Sequence, residues 1–175
     1  MITKDNNYKA MKLFFDSPGA KFHIREIARL TGLSAPGVSK IVRRLKKEGL
    51  LLSEKNYLME NVFASKNEKF LRLKRCYNLL NIYESGLVEF LQQEYEEPEA
   101  IVLFGSYAKG EDSSKSDIDI AVFTNKTKDV RLAGFERKTG RAINLYTIRA
   151  DECKKEFLNS LANGIVLYGY QRVVQ

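Results

Sequence analysis

The sequence has few of the side chains that build transition-metal centres and disulfide-linked folds. It contains two cysteines and one histidine. A single histidine, His23, excludes a zinc site built on histidines, and we expect it to cap or pack the helix that it begins. Cys76 and Cys153 lack the spacing of metal ligands, so we expect two reduced thiols in an intracellular, cytoplasmic protein.

Long apolar runs are also missing. No run approaches the roughly 20 residues that a membrane-spanning helix needs. The first residues, MITKDNNYKAMKLFF, lack the apolar core of a secretory signal. The sequence shows no internal repeat and no low-complexity segment, and its apolar share of 44% is ordinary for a globular protein. We therefore expect one domain or two small ones, with no membrane partner.

Acidic residues are scarce in the first third of the chain. Residues 1–66 hold 13 Lys and Arg against 6 Asp and Glu, whereas residues 67–175 hold 16 of each kind. The whole net charge of +7 therefore belongs to the first third. This asymmetry predicts two modules, and it predicts a polyanion as the partner of the first one.

Polar residues suited to phosphate chemistry adjoin two apolar runs in the C-terminal part. Gly105 and Ser106 follow the run 101–104, while Asp117 and Asp119 open the next run. Residues two apart in a strand project to the same side, so the two carboxylates can bind divalent cations together. Glycine lets the backbone approach a ligand, and exposed amides after a strand bind phosphate oxygens. These parts predict phosphoryl or nucleotidyl transfer, with a simple turn before an acidic strand as the alternative.

The stretch GSYAKGEDSSKSDID resembles the signature of the DNA polymerase β-type nucleotidyltransferase superfamily, and most of all its minimal, antitoxin-like members. The resemblance covers about residues 100–169. It implies that Gly105 and Ser106 hold the triphosphate of a nucleotide such as ATP. It also implies that Asp117 and Asp119 bind magnesium ions, and that a third carboxylate on the next strand helps to deprotonate the attacking group.

The sequence departs from the family pattern at this third carboxylate, because the aligned residue is Asn144. An amide oxygen ligates a hard cation weakly and cannot take a proton, and general-base assistance is worth about 10²–10⁴ in rate. Glu136 or Asp129 can substitute only if their helix folds over the site. The resemblance further implies that Ser116 supports the metal ligands and that Lys109 helps to neutralise phosphate, unless Lys109 is a solvated surface residue. We expect nucleotide and metal binding with impaired turnover.

The N-terminal module has the turn residues and apolar spacing of three helices and a hairpin. Ser34 is a suitable N-cap for the third helix, whose exposed face is basic. The predicted elements are a helix over about 5–16, a helix from Ile24 to about Gly32, a helix from Ser34 to Gly49, and strands over 50–53 and 57–63 around a turn at 54–56.

This order, and the segment HIREIARLTGLSAPGVSKIVRRLKKEGLL, resemble a winged helix-turn-helix. The resemblance implies that the third helix enters the major groove of duplex DNA. A basic stripe alone is also typical of a solvated face, and some winged helices dock proteins instead. The residues implied to reach bases are Ser34, Ser39 and Lys40. Those implied to meet phosphates are Arg43, Arg44 and Lys47, with Lys55 at the wing tip.

Residues 67–95 contain no proline and one glycine, and their apolar residues recur at helical spacing. We expect a helix, kinked at Gly86, that joins the modules, forms a homodimer seam, or does both.

The rest of the chain predicts four further elements. They are a helix over about 128–139, a strand over 141–148, a last helix, and a final apolar segment over 165–168. In the last helix, Asp151 is the expected cap, Gly164 marks the end, and the expected buried residues are Cys153, Phe157, Leu158 and Leu161.

The expected fold is α+β, with a winged helix-turn-helix over 1–66, a linking helix over 67–97 and a nucleotidyltransferase domain over 98–175. We expect a mixed sheet with helices on one face.

Three functions stay open. The first is transfer of a nucleoside monophosphate from ATP to an acceptor hydroxyl, as in antitoxins that modify or sequester an all-helical HEPN toxin. The second is a DNA-binding regulator or antitoxin with a degenerate nucleotide sensor, which Asn144 favours, and the third is a structural subunit with a decayed active site.

Overall fold

The computed structural model describes residues 5–56, 59–149 and 155–171. The chain divides into two compact units, residues 1–74 and 75–175, and the division falls within the helix over Glu68–Ser85. Within the described ranges each unit has one sheet, of three strands in the first and four in the second. None of the helices in those ranges is long and apolar enough to cross a membrane.

The first unit packs three helices beside its sheet. Asp5 caps the first helix by accepting a hydrogen bond from the Asn7 amide, and Ser34 caps the third by accepting one from Gly37 over 3.2 Å. Gly32 ends the second helix with a φ of 70°. The elements are α1 (Asn6–Asp16), β1 (Lys21–His23), α2 (Ile24–Thr31), α3 (Ala35–Lys47), β2 (Leu51–Asn56) and β3 (Met59–Ala64).

The first strand of the hairpin is longer than the sequence indicates. Residues 54–56, the predicted turn, belong to β2, which pairs antiparallel with β3 out to Asn56 and Met59. Lys55 therefore lies in the strand, opposite Glu60, and not in the turn. The sheet also contains β1, which the sequence does not predict, and its order is β1-β3-β2. As expected, His23 begins α2, and its backbone amide donates to Glu26 over 3.4 Å.

The second unit is built on a mixed sheet of order β6-β5-β4-β7. The central strands β4 and β5 are antiparallel, β7 pairs antiparallel with β4, and β6 pairs parallel with β5. The elements from the second half of the chain are α4 (Glu68–Ser85), α5 (Leu87–Glu94), β4 (Ala100–Phe104), α6 (Gly105–Lys109), β5 (Ile118–Phe123), α7 (Ala133–Thr139), β6 (Ile143–Ile148), α8 (Lys155–Ala162) and β7 (Ile165–Gly169).

Helices cover both faces of this sheet, so the expectation of helices on one face is wrong. On the first face, β4 and β5 pack with α4, α5, α6 and α7 through residues such as Ile101, Ile120 and Leu91. On the second face, Val102, Phe104 and Ala121 pack against Leu161 of α8. Alternate strand residues point to opposite faces, so both faces of β4 and β5 can be apolar and buried.

Three further expectations change in detail. Gly86 separates α4 from α5 with a φ of 78°, so the predicted kink is a break. The helix expected over about 128–139 is confined to α7, and the residues before it are irregular. In α8, Leu161 is buried while Phe157 and Leu158 are half-buried, and Asp151 and Cys153 lie outside the described residues. The final apolar segment is the strand β7.

Candidate functional site

The turn from β4 into α6 needs a glycine. Gly105 has a φ of 74°, which side-chain-bearing residues rarely adopt, and a Cβ atom there would clash with the carboxylate of Asp119. The backbone at Gly105 therefore lies directly against Asp119. Ser106, the next residue, is half-buried in the first turn of α6.

Both predicted carboxylates lie close together, Asp119 in β5 and Asp117 just before this strand. Asp119 is paired with Phe104 on one side and with Asn144 of β6 on the other. The amide nitrogen Nδ2 of Asn144 lies 3.1 Å from Oδ1 of Asp119 and 3.4 Å from Oδ2 of Asp117. One amide donor reaches both acids, so their oxygens lie around a common point.

The oxygens at this point suit a hard divalent cation. Carboxylate and amide oxygens are the ligands that Mg²⁺ takes, and the amide of Asn144 would turn its oxygen inward to join them. The described part of the chain holds no group of three or more His, Cys, Asp or Glu placed to bind a metal. Asp117 and Asp119 are therefore the charged ligands available there, and they would hold the cation with two negative charges.

Glu136, one of the two sequence-based substitutes for the third acid, lies away from the described site. Glu136 belongs to α7, whose Phe135 packs on the first face of the sheet, while Asp119 and Asn144 share the second face with Phe104. The Glu136 carboxylate accepts a hydrogen bond of 3.0 Å from the backbone amide of Ile143. Asp129 is exposed in the irregular segment before α7 and not in a helix.

The other predicted residues of this domain lie in or beside the loop between α6 and β5. Ser116 closes a tight turn, because its Oγ accepts a hydrogen bond of 2.9 Å from the amide of Ser113. This hydrogen bond lies within the loop that leads to Asp117. Lys109 is exposed at the end of α6.

A buried ion pair that the sequence analysis did not identify also holds this loop. Asp112 is fully buried, and its Oδ2 lies 3.2 Å from Nη2 of Arg141, whose side chain is 8% exposed. Asn78 of α4 donates to Oδ1 of Asp112 over 2.7 Å and to the carbonyl of Tyr107 over 2.9 Å. Arg141 also donates to the carbonyl of Ser113. An aspartate next to a Gly-Glu turn gives no sequence signal of burial, because its partners come from distant segments.

The second candidate surface is the exposed side of α3. Ser34, Lys40, Arg43 and Lys47 are exposed there, and Ser39 is half-buried. A groove between α3, α2 and β3 is lined by Ile24, Ser39, Val42, Arg43, Lys46, Lys47 and Glu60. Three of the predicted DNA contacts, Ser39, Arg43 and Lys47, line this groove. Arg44 is also exposed on α3, and its Nε lies 2.9 Å from Oε1 of Glu48.

Lys46 belongs to this groove although it is not among the predicted contacts. Its Nζ donates to Oε1 of Glu60 over 2.8 Å and to the hydroxyl of Ser53. The hydrogen bond from the Lys46 ammonium lowers the pKa of the Glu60 carboxyl, which is ionised at neutral pH in any case. The groove thus contains one carboxylate among its lysines and arginines.

Comparison with known families identifies both domain types. The family model described as polymerase beta, nucleotidyltransferase matches residues 86–172, and the one described as winged helix-turn-helix DNA-binding matches residues 23–51. A search of curated proteins found no match. The chain therefore combines an N-terminal winged helix-turn-helix domain with a domain of the polymerase β nucleotidyltransferase family, which confirms both resemblances and the α+β fold class.

Proposed function

We propose that the C-terminal domain binds a nucleoside triphosphate, with ATP as the first candidate, together with magnesium, and transfers its nucleoside monophosphate slowly to an acceptor hydroxyl. The observation that carries this proposal is the position of Asp119 against the turn at Gly105, with Asp117 reached by the same Asn144 amide, within a polymerase β-type domain. Glycine at that turn leaves backbone amides accessible to phosphate oxygens.

Each residue has a distinct part in this scheme. Gly105 and Ser106 hold the triphosphate, and Asp117 and Asp119 hold the cation. A bound divalent cation would supply positive charge to the phosphate oxygens as negative charge develops on them. The acceptor oxygen forms a bond to the α-phosphorus, the bond to the bridging oxygen of pyrophosphate breaks, and the acceptor proton passes to solvent.

Slow turnover follows from the hydrogen-bond chemistry of Asn144. In the structure its amide donates to both carboxylates, and an amide cannot take up the proton that the acceptor hydroxyl loses. Loss of general-base assistance typically lowers a rate by about 10²–10⁴. Binding of the nucleotide requires no such base, so affinity and turnover are separable in this site.

Label transfer tests this proposal. The full chain is incubated with magnesium and ATP labelled on the α-phosphate, alone and with candidate acceptors, including an all-helical HEPN-type partner and free tyrosine-containing peptides. We expect slow transfer that disappears in Asp117→Asn. The matched control is Asp129→Asn, which removes the same charge from an exposed residue of the segment before α7. Transfer that survives Asp117→Asn would contradict the assignment.

The N-terminal domain supplies the second half of the proposal, which is binding to duplex DNA through α3. Support comes from the exposed basic side of α3 and the match of residues 23–51 to a DNA-binding family. Ser34, Ser39 and Lys40 are the proposed base contacts, because residues in the N-terminal part of a recognition helix face base edges. Arg43, Arg44 and Lys47 are the proposed phosphate contacts, and Lys55 of β2 is a further one.

Salt dependence tests the DNA contacts. We expect log K to fall linearly with log salt, and Arg43→Ala to make that slope shallower by about 1 if the side chain meets one phosphate. Arg137→Ala is the matched control, because it removes the same charge from an exposed position of α7 in the C-terminal domain and should leave the slope unchanged. Affinity that does not depend on salt would remove DNA from the proposal.

A second function is favoured by the same amide. Asn144 at the expected third carboxylate suits a DNA-binding regulator or antitoxin whose second domain senses a nucleotide without turning it over. Magnesium-dependent ATP binding without any label transfer, combined with DNA affinity that changes when ATP is present, would select this function over the transferase.

A further inference from the structure

An aromatic cluster lies on the second face of the C-terminal sheet. Phe104, Tyr146 and Phe157 contact one another. Their ring centroids are 5.5 Å apart for Phe104 and Tyr146, 5.5 Å for Phe104 and Phe157, and 5.8 Å for Tyr146 and Phe157. The three residues come from β4, β6 and α8, so the cluster exists only in the folded domain.

The strand registers place this cluster beside the carboxylates. Phe104 is the cross-strand partner of Asp119, and Tyr146 follows Asn144 by two residues on β6. Residues two apart on a strand share a face and are separated by roughly 6.6 Å. Tyr146 thus stands one side-chain position along the face from the amide that contacts both acids.

Tyr146 is open to solvent although its two partners are mostly covered. It is 39% exposed, whereas Phe104 is 7% exposed and Phe157 is half-buried. The residue paired with it on β5 is Ala121, whose side chain is too small to cover a tyrosine ring. An aromatic ring supported by two others and exposed beside a polar site offers a flat surface for a planar ligand.

We propose that the exposed side of Tyr146, supported by Phe104 and Phe157, stacks on the nucleobase of the triphosphate whose phosphates lie at Gly105. This inference rests on the proposed nucleotide binding at Asp117 and Asp119. Stacking on an aromatic side chain is available to every base, because each base has a π-face. The domain should therefore accept purine and pyrimidine triphosphates, with the larger purines bound more tightly.

The experiment compares two ligands that share the phosphates but not the base. The full chain is titrated calorimetrically with ATP and with inorganic triphosphate, each with magnesium. The variants are Tyr146→Ala, Tyr146→Phe and Tyr146→Leu, where leucine keeps apolar bulk without the aromatic face. The matched control is Tyr83→Ala, because Tyr83 of α4 is 42% exposed and α4 packs on the other face of the sheet.

We expect Tyr146→Ala and Tyr146→Leu to raise the Kd for ATP by about 5- to 150-fold, which is the range that stacking one base contributes. The Kd for inorganic triphosphate should change less than about twofold. Tyr146→Phe and Tyr83→Ala should bind both ligands like the unmodified chain. The Leu variant keeps the test valid if the Ala variant does not fold.

Three other results would overturn the inference, and they are distinguishable. An unchanged Kd for ATP in Tyr146→Leu shows that no base stacks there. An equal loss of ATP and triphosphate shows that Tyr146 only supports the fold of the site. If the unmodified chain binds neither ligand with magnesium, the proposed nucleotide site itself fails, and the inference fails with it.

Discussion

Nδ2 of Asn144 lies 3.1 Å from Oδ1 of Asp119, where the amide offsets the repulsion between two neighbouring carboxylates. A carboxylate at this position would add a third negative charge and a group that accepts a proton. We therefore predict that Asn144→Asp tightens magnesium binding and raises the rate of label transfer, by at most about 10²–10⁴.

Calorimetry with magnesium and the α-labelled ATP assay measure the two effects of Asn144→Asp. Asn125→Asp is the control, because it adds the same charge in an exposed bend after β5. If Asn144→Asp weakens magnesium binding, the carboxylates do not form the cation site. If it tightens magnesium binding without any transfer, the sensor function is favoured.

Gly105→Ala should abolish magnesium-dependent ATP binding. An alanine at a φ of 74° is strained by about 1–2 kcal/mol, and its Cβ would displace the carboxylate of Asp119. The displacement moves Asp119 away from the turn that we propose as the phosphate-binding site. Calorimetry with ATP and magnesium measures the loss, and circular dichroism shows whether the domain still folds.

The control for this change is Gly134→Ala. Gly134 lies in α7, and a Cβ atom there would meet no other atom within 4 Å. Alanine is favoured over glycine in a helix by roughly 0.5–1 kcal/mol, so this variant should be slightly more stable and should bind ATP normally. Equal losses of ATP binding in both variants would show that the turn at Gly105 is not specifically required for nucleotide binding.

Asp112→Asn should loosen the loop between α6 and β5. The change leaves Arg141 without its buried counter-charge, and breaking a buried pair in this way costs about 3–5 kcal/mol. Asparagine retains a side-chain oxygen that can accept the hydrogen bond from Asn78. The change in the free energy of unfolding therefore reports the loss of the ion pair. Urea unfolding gives the free energy, and hydrogen exchange of the amides of residues 113–118 should become faster.

Asp16→Asn is the matched control for Asp112→Asn. Asp16 lies 3.4 Å from Lys12, and both side chains are about half exposed, at 47% and 50%. Exposed pairs contribute about 0–1 kcal/mol, so this variant should unfold nearly like the unmodified chain. A similarly small effect for both variants would mean that the buried pair does not stabilise the loop.

Glu60→Gln should tighten binding to duplex DNA. It removes an ionised carboxylate, whose pKa the hydrogen bond from Lys46 lowers further, and it releases Lys46 toward the groove. We expect affinity to rise by about 1.4- to 5-fold, the range of one exposed charge pair. The slope of log K against log salt should steepen by about 1 if Lys46 meets a phosphate.

Fluorescence anisotropy with labelled duplexes at several salt concentrations measures this effect. Glu89→Gln removes the same charge from an exposed position on α5 and serves as the control for net charge. Equal affinities for Glu60→Gln and the unmodified chain would place the phosphates away from the groove.

Local signals made the first unit largely predictable. Ser34 caps α3 and Gly32 ends α2, because capping and left-handed backbone depend on nearest neighbours. The turn at 54–56 was predicted wrongly, since Glu-Lys-Asn has turn-forming residues but cross-strand pairing extends β2 to Asn56. β1 was missed because three residues carry too little periodic pattern.

The candidate site was predictable as a set of residues and not as an arrangement. The motif places Asp117 and Asp119 two apart on a strand, and this spacing alone predicts that they share a side. The pairing of Asn144 with Asp119 required the parallel register of β5 and β6. Burial of Asp112 and the location of Glu136 on the opposite face depended on contacts between distant segments.

The amino-acid sequence by itself determined the two domain types, the helix ends and the chemistry of the acidic pair, because spacing, capping and charge are local properties. Tertiary structure decided which side chains meet: the amide of Asn144 between two acids, the aromatic ring of Tyr146 beside them, and the ion pair beneath the loop. Those contacts depend on strand register and on which face each helix covers, and neither is fixed by any short stretch of sequence.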